Sequence, residues 1–196
     1  MIVPELLAPA GDRERLEAAL MYGADAVYLG GDAFGMRAAP QNFNFEQLKE
    51  AVDLCHAKGV KVYLTCNTLA RNDEILKLPH YLEQWAEIGV DAFIVADLGL
   101  FHLIKNRYPD AEIHVSTQAN NVNYVSANVW HSMGASRVVL ARELTFDEIK
   151  DIRKKTELLA NPLYNDFCGS HFWGDVDKLL REVELKLIKD KETYKW

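Results

Sequence analysis

The sequence predicts an α/β fold, a β/α (TIM-like) barrel that is incomplete, with about six βα units followed by a C-terminal helix. Short apolar runs that resemble strands alternate with amphipathic, helix-like stretches from Ile2 to about Thr156. This alternation is typical of a parallel sheet covered by helices, and both a doubly wound sheet and a barrel satisfy it. Polar side chains that follow the strand ends favour the barrel, because barrel strands converge on one mouth.

Glycines mark four of the junctions between a helix and the next strand. Gly23 leads into "ADAVYL", Gly59 into "VKVYLT", Gly89 into "VDAFIV" and Gly134 into "ASRVVL". Glycine suits the position just past a helix because it adopts positive φ at no steric cost. Two further strands, "IVPELL" and "AEIHVS", are predicted without such a glycine.

Capping residues predict where several helices begin. Asp12 suits the N-cap of the first helix, and Asn44 with Gln47 forms a plausible reciprocal pair before the second. Thr145 and Glu148 match the spacing of a capping box before the last helix of the repeating region.

The repeating pattern ends near Thr156. We therefore predict a barrel domain over residues 1–157, then an atypical loop and an amphipathic C-terminal helix over residues 158–196. A closed barrel needs eight strands, and six are recognisable. Either strands seven and eight are unrecognisable, or the barrel is open and its edge is covered by a second copy of the chain or by another partner chain.

Composition restricts the class of protein. Hydrophobic residues make up 49% of the 196 residues, and the net charge is -7, which argues only weakly against an RNA substrate. The N-terminus lacks a signal-peptide pattern and no apolar run could span a bilayer, so we expect a cytoplasmic protein without membrane contact. Small-molecule, peptide and RNA substrates all stay open.

Side chains capable of chemistry follow five of the six predicted strands, and we expect them to line the barrel mouth. Each could instead cap the next helix, and Arg142 could pair with Glu143 or with Asp97 across the mouth. No catalytic role is assigned to any of them. The candidate substrate-binding residues are Arg37, Asn67, Asp97, Ser116, Gln118, Arg142 and Glu143.

Cysteines and glycines give weaker signals. Cys168 and His171 lie close together but bring too few ligands for a zinc site or an iron–sulfur cluster, so no metal site is predicted. Cys66 lies at the end of the third strand, where packing is favoured over a nucleophilic role because no histidine stands out as its base. Gly30 and Gly31 do not form a phosphate-binding fingerprint.

Several stretches together resemble one known family. They include "PELLAPAGDRERLEAALMYGADAVYLGG", "FGMR", "GVKVYLTCNT", "YLEQWAEIGVDAFIVADLGL", "YPDAEIHVSTQANNVN" and "GASRVVLARELTFDEI", in this order over about residues 3–155. The chain resembles the N-terminal barrel domain of the collagenase-like peptidase family, number thirty-two of peptidase class U. The resemblance implies a β/α barrel whose mouth is lined by the seven candidate residues.

The resemblance also implies a choice of activities. The family carries a peptidase label from collagen-degrading members, whereas other members resemble factors that hydroxylate transfer RNA, ribosomal RNA or the ubiquinone ring. Those members hold a 4Fe-4S cluster on four cysteines, in a segment that follows a seventh strand. Here "ELLANPLYNDFCGSHFW" stands in that place, only Cys168 could be a remnant, and no cofactor is evident in this chain.

Two functional hypotheses follow. The chain is either an enzyme of this family, nominally a peptidase (hydrolase) or else a hydroxylation factor for RNA or ubiquinone, or a truncated, non-catalytic barrel that acts by binding a partner. A sugar-phosphate barrel enzyme is disfavoured, because no clear phosphate loop is present.

Overall fold

A computed structural model describes residues 5–36 and 42–156 of the chain. Arg37 and the whole of the predicted second domain, with its C-terminal helix, Cys168 and His171, lie outside the described residues. The division at residue 157 therefore stays a prediction.

Six parallel strands form one curled sheet, a half-barrel in which every strand pairs with its sequence neighbour. The predicted fold class is therefore confirmed. The strands are β1 (Leu7–Pro9), β2 (Ala26–Gly30), β3 (Lys61–Cys66), β4 (Ala92–Val95), β5 (Ile113–Val115) and β6 (Arg137–Val138). The helices are α1 (Arg13–Met21), α2 (Phe45–His56), α3 (Asn72–Ile75), α4 (Leu78–Ile88), α5 (Leu98–Arg107), α6 (Tyr124–Ser132) and α7 (Phe146–Lys155), with a short 3-10 turn at Thr117–Ala119.

Two elements differ from the sequence-based prediction. The first strand begins at Leu7, the last residue of the predicted run "IVPELL", and continues to Pro9. These three residues, Leu7, Ala8 and Pro9, are the ones that pair with β2. The four-residue helix α3 was not predicted, since its apolar residues are too few to show a helical period.

The four junction glycines all have positive φ, from 71° at Gly59 to 101° at Gly134. Two residues after three of these glycines, a polar side chain bonds to the backbone of the preceding strand or its approach. Asp25 accepts the amide of Leu6 at 2.7 Å, Asp91 accepts that of Val62 at 2.7 Å, and Ser136 donates to the Ile113 carbonyl at 3.2 Å. The repeated unit therefore couples helix termination to strand alignment.

The predicted caps form as expected. Asp12 accepts the amide of Arg15, and the Asn44–Gln47 and Thr145–Glu148 pairs form reciprocal capping boxes. Each cap satisfies backbone amides that have no partner within the helix.

Alternation along the strands divides the buried side chains between two faces of the sheet. The outer face, with Val27, Leu64 and Val95, packs beneath the helices in the main apolar core. The inner face holds a smaller separate cluster of Ala26, Tyr63, Ala92 and Ile94, against which Leu7 and Tyr28 pack.

Toward the strand starts, the inner face carries a charged group that we call the floor cluster. Its members are Glu5, Tyr63, Glu112, His114 and Arg137. Arg137 is 4% exposed, bonds the Glu5 carboxylate at 2.9 Å and lies 5.3 Å from the centre of the Tyr63 ring. Tyr63 donates its hydroxyl to the same carboxylate at 2.9 Å. These contacts connect the segment before β1 to β6 across the inside of the half-barrel.

His114 completes the floor cluster. Its ring lies edge-on to Tyr63, with ring centres 4.6 Å apart, and its Nε2 is 3.6 Å from Glu112 Oε2, which is too long for a hydrogen bond. The side chain is 1% exposed, and burial lowers its pKa. His114 is therefore neutral in the folded protein near pH 7.

No helix within the described parts of the chain is long and apolar enough to cross a membrane.

Candidate functional site at the barrel mouth

Six of the seven candidate residues fall within the described residues, and all six follow the C-terminal end of a strand. Because the strands are parallel and curled, these ends gather at one mouth, opposite the floor cluster. Arg37 follows Met36, the last described residue of its loop, and its side chain lies outside the described residues.

Asn67 connects two strand ends at the mouth. Its Oδ1 accepts the backbone amide of Met36 at 3.1 Å, and its Nδ2 lies 3.5 Å from Ser116 Oγ, at the outer limit of a hydrogen bond. Ser116 Oγ also accepts the amide of Gln118 at 3.3 Å. The geometry therefore joins the loop after β2 to the end of β5 through one amide side chain.

The loop after β2 is anchored at further points. Phe34 is 8% exposed, has a φ of 60°, and packs edge-on against Tyr81 and Trp85 at ring-centre distances of 5.6 and 5.9 Å. Its carbonyl accepts the amide of Thr68 at 3.0 Å. A left-handed backbone is unfavourable for a bulky residue, so the packing must hold it in place.

Thr65 has a structural role at this end of β3. Its hydroxyl donates to the carbonyl of Leu29 at 3.0 Å. A side chain at Gly30 would place its Cβ 3.3 Å from the same hydroxyl, which explains why the strand ends in glycine here. Gly30 therefore allows the end of β2 to pack closely on β3, whereas a Cβ at Gly31 would meet its neighbours at an ordinary distance of 3.9 Å.

Asp97 serves as the N-cap of α5. One carboxylate oxygen accepts the amide of Leu100 at 2.9 Å. The helix-cap alternative for Asp97 is therefore the one that the structure shows.

Gln118, Arg142 and Glu143 are exposed at the mouth. Within residues 5–36 and 42–156, Arg142 and Glu143 form no ion pair with each other or with Asp97. The structure therefore brings Asn67 and Ser116 together with the loop after β2, but leaves the charged pair after β6 in solvent.

Asn121 is a mouth-side residue that the sequence reasoning missed. It is 1% exposed, its backbone carbonyl accepts the amide of Ala141 at 2.9 Å, and its Nδ2 has no hydrogen-bond partner among the described residues. The signal in the sequence was the pair of consecutive asparagines, Asn120 and Asn121. Asn120 has a left-handed φ of 51°, so the chain turns immediately before Asn121. Asn121 couples the loop after β5 to the chain leaving β6.

The neighbours of Ser116 restrict the chemistry of the mouth. A serine nucleophile needs an adjacent base to take its proton. The groups that contact Ser116 Oγ within the described chain are the amide of Asn67 and the backbone amide of Gln118, and neither is a base. The arrangement can bind and orient a ligand through neutral amide and hydroxyl groups.

The described cysteines do not fit an iron–sulfur cluster. Cys55 and Cys66 are both buried, burial raises the pKa of the Cys55 thiol to about 11, and burial raises the pKa of the Cys66 thiol as well. A cluster requires thiolates, usually four of them. Among the described residues, no group of three or more histidine, cysteine or acidic side chains could hold a metal.

These features define the class of the molecule as a β/α half-barrel whose candidate ligand-binding residues follow the C-terminal ends of its strands. The chain belongs to peptidase family U32, whose model matches residues 11–162. The resemblance found in the sequence is therefore confirmed.

Several of the relatives have names that refer to RNA, and one is named as a protease. The chain is 39% identical over 155 residues to the tRNA hydroxylation protein P of Escherichia coli, covering 79% of this chain and 34% of that protein. It is 37% identical over 153 residues to the 23S rRNA 5-hydroxycytidine C2501 synthase of the same organism, covering 78% and 23%. An uncharacterised protease of Methanocaldococcus jannaschii is 40% identical over 154 residues, covering 79% and 37%. The chain spans about a third of the length of the tRNA hydroxylation protein P.

Solved structures agree on the fold. A U32 peptidase structure superposes with a TM-score of 0.68 at 19% identity, covering 80% of this chain and 66% of that one. A DHDPS from Cyanidioschyzon merolae gives a TM-score of 0.54 at 13% identity, covering 78% and 60%. At these identities the likeness concerns the fold alone.

Proposed function

We propose that this chain supplies the target-binding barrel of an RNA-hydroxylation protein. The observation that carries the proposal is the 39% identity to a tRNA hydroxylation protein over 155 residues, a span as long as the barrel itself. The amide and hydroxyl groups of Asn67 and Ser116 at the mouth support it, since such groups suit the polar edge of a base. A peptidase role has less support because Ser116 lacks a base among its described contacts.

Each mouth residue has a proposed part in this function. Arg37 binds an anionic or carbonyl group of the RNA, since its guanidinium can donate two parallel hydrogen bonds. Ser116 and Gln118 orient the target, and Arg142 and Glu143 contact its flanking parts. Asp97 holds α5 in place while its outer oxygen faces the ligand. No catalytic residue is assigned.

The cofactor and the partner of this barrel are proposals as well. The 4Fe-4S cluster of related proteins finds no fitting ligands among the described residues, so no step is derived through it. We propose that a partner polypeptide contributes the catalytic groups and covers the open edges of the half-barrel.

Arg37→Ala tests target binding at the mouth. We expect the purified chain to bind an unmodified tRNA transcript in a fluorescence-anisotropy titration. The variant should lose at least about tenfold in affinity, with a nearly unchanged melting temperature. The matched control is Arg107→Ala, which removes an arginine at the end of α5, away from the mouth, where it pairs with Glu83 at 3.5 Å. Equal affinities for both variants, or no binding by the parent chain, would contradict the proposal.

A second candidate is the partner-dependent, non-catalytic barrel. The observation that favours it is that β1 and β6 each pair on one side only within the described sheet. Exposed strand edges bind other strands readily. Light scattering on a gel-filtration column distinguishes the candidates: a monomer that binds tRNA supports the first, and an oligomer with no tRNA affinity and no iron–sulfur absorbance supports the second.

A further inference from the structure

We infer that Asn67 is a positioning residue, whose amide holds the end of the loop after β2 at Met36 and, together with the Gln118 amide, leaves the Ser116 hydroxyl as a hydrogen-bond donor at the mouth. The inference rests on the proposed function insofar as an RNA group must occupy the mouth. Its structural half can be tested without RNA.

The first step is the attachment of the loop after β2. Gly31 pairs with Phe43 in an isolated parallel bridge, and the Phe34 ring packs on Tyr81 and Trp85. Beyond Phe34, the hydrogen bond from the Met36 amide to Asn67 Oδ1 holds the end of the loop. Arg37 is the next residue in the chain. Asn67 therefore fixes the backbone immediately before the guanidinium that the proposed function requires.

The second step is the strained backbone of Phe34. Its φ of 60° is unfavourable for an aromatic residue, and such a conformation persists only where the surroundings hold it. The aromatic contacts hold one side of Phe34, and the Thr68 amide holds its carbonyl at 3.0 Å. Among the contacts of the described residues, loss of the Asn67 bond would leave the segment after Gly31 held by Phe34 and its partners.

The third step concerns the proton of Ser116. A hydroxyl has one proton to donate and two lone pairs that accept. Asn67 Nδ2 and the Gln118 amide both approach Ser116 Oγ as donors, at 3.5 and 3.3 Å. Both lone pairs are thus engaged, and the remaining proton is available for an acceptor. The mouth should therefore select a carbonyl oxygen or an unprotonated ring nitrogen of the target.

The fourth step is the use of both ends of the Asn67 amide. Its oxygen accepts from Met36 and one of its N–H groups points to Ser116. Substitution by aspartate keeps the acceptor for Met36 but replaces the donor by a second acceptor. The Ser116 hydroxyl would then turn its proton toward the carboxylate. Asn67→Asp and Asn67→Ala therefore separate the two roles.

The loop role is tested by hydrogen–deuterium exchange on the chain without RNA. In Asn67→Ala, the peptide that contains Met36 should exchange about tenfold faster or more than in the parent chain, because its amide has lost its partner. Asn67→Asp should keep the protection. The control is Asn106→Ala, which removes an asparagine that contacts His102 on the outer side of α5. Unchanged protection in Asn67→Ala overturns the loop role, whatever the RNA does.

The donor role is tested by tRNA affinity in the same variants. Asn67→Asp and Ser116→Ala should each weaken binding by about tenfold, because both remove the donated proton. Wild-type affinity in Asn67→Asp overturns the donor role. If Asn67→Ala fails to fold, Asn67→Ser replaces it, since serine is too short to keep both contacts. Absence of tRNA binding by the parent chain would contradict the proposed function and the donor role, while the exchange result still decides the loop role.

Discussion

The two ends of the inner face of the half-barrel contain different kinds of side chain. The floor cluster consists mainly of ionisable groups, and Arg137, Glu5 and Tyr63 are buried or half-buried and bonded to one another. The mouth combines neutral amides and a hydroxyl with charged groups such as Arg142 that stay in solvent. In β/α barrels, the strand starts serve stability and the strand ends serve function.

Charge by itself therefore does not mark the candidate functional end of this half-barrel. Burying a charge is expensive unless it is paired, so buried charges at the floor indicate mutual compensation. Substitutions at the floor should therefore change the free energy of unfolding, whereas substitutions at the mouth should change ligand affinity.

The largest effect is expected from Arg137→Met. The substitution leaves the Glu5 carboxylate without its cation inside the half-barrel, which should lower the free energy of unfolding by about 3 kcal/mol. Urea denaturation monitored by tryptophan fluorescence measures the loss. Arg142→Met is the matched control at the mouth and should change stability by less than about 0.5 kcal/mol. Equal losses in the two variants would erase the distinction between floor and mouth.

A second prediction concerns the pH dependence of the floor. Burial holds the pKa of His114 below its ordinary value, so the unfolded chain takes up this proton at higher pH than the folded chain. Stability should therefore fall as the pH decreases through about 6.5. The groups that face His114 are Glu112, Tyr63, Arg137 and Glu5.

The carboxylates of the floor should act only at lower pH. Burial opposes ionisation of Glu5, but the hydrogen bond and charge of Arg137 outweigh it and lower its pKa. The neighbouring His114, Lys61 and Arg137 lower the pKa of Glu112 as well. Their contribution is lost below their ordinary range near pH 4.5. Melting temperatures from pH 8 to 3 should show two steps, and His114→Phe should remove the first. A first step that persists in this variant would show that another group is responsible.

A smaller effect is expected from Asp97→Ala. Loss of the N-cap of α5 should reduce the free energy of unfolding by about 1 kcal/mol, and Asp97→Asn should restore most of it because asparagine also caps. Thermal melts measure both. If Asp97→Asn is stable yet binds tRNA poorly, the residue has a ligand role in addition to its cap.

The smallest effect on stability is expected at Gln118. Its exposed side chain lies on the 3-10 turn after β5, so Gln118→Ala should leave the melting temperature nearly unchanged. We expect a few-fold weaker affinity for tRNA, measured by anisotropy. A marked loss of stability would show instead that Gln118 has a structural role.

Local features of the fold could be predicted from the sequence. The junction glycines and the caps at Asn44 and Thr145 depend on residues three or four apart, so their signals are contiguous. The position of Asn67 at a strand end was also predictable, because it follows an apolar run directly.

The contacts of the site could not be predicted in the same way. Asn67 contacts Met36, 31 residues earlier, and Ser116, 49 residues later, and no local pattern encodes either distance. Asp97 was ambiguous because a cap and a ligand-binding carboxylate have the same sequence signature. The floor cluster was not predicted because its five members lie in four separate segments of the sequence, where each resembles an ordinary surface residue.

The bond between Glu5 and Arg137 has a consequence for the order of folding. Every strand pairs with its neighbour in sequence, so the sheet can grow one βα unit at a time, whereas this bond joins residues 132 positions apart. Because closing so long a loop has a large entropic cost, we expect this contact to form last. Stopped-flow kinetics should therefore show that Arg137→Met accelerates unfolding and leaves the folding rate almost unchanged. In that case the bond between Glu5 and Arg137 mainly slows unfolding, and the lifetime of the folded barrel depends on the last contact that the chain makes.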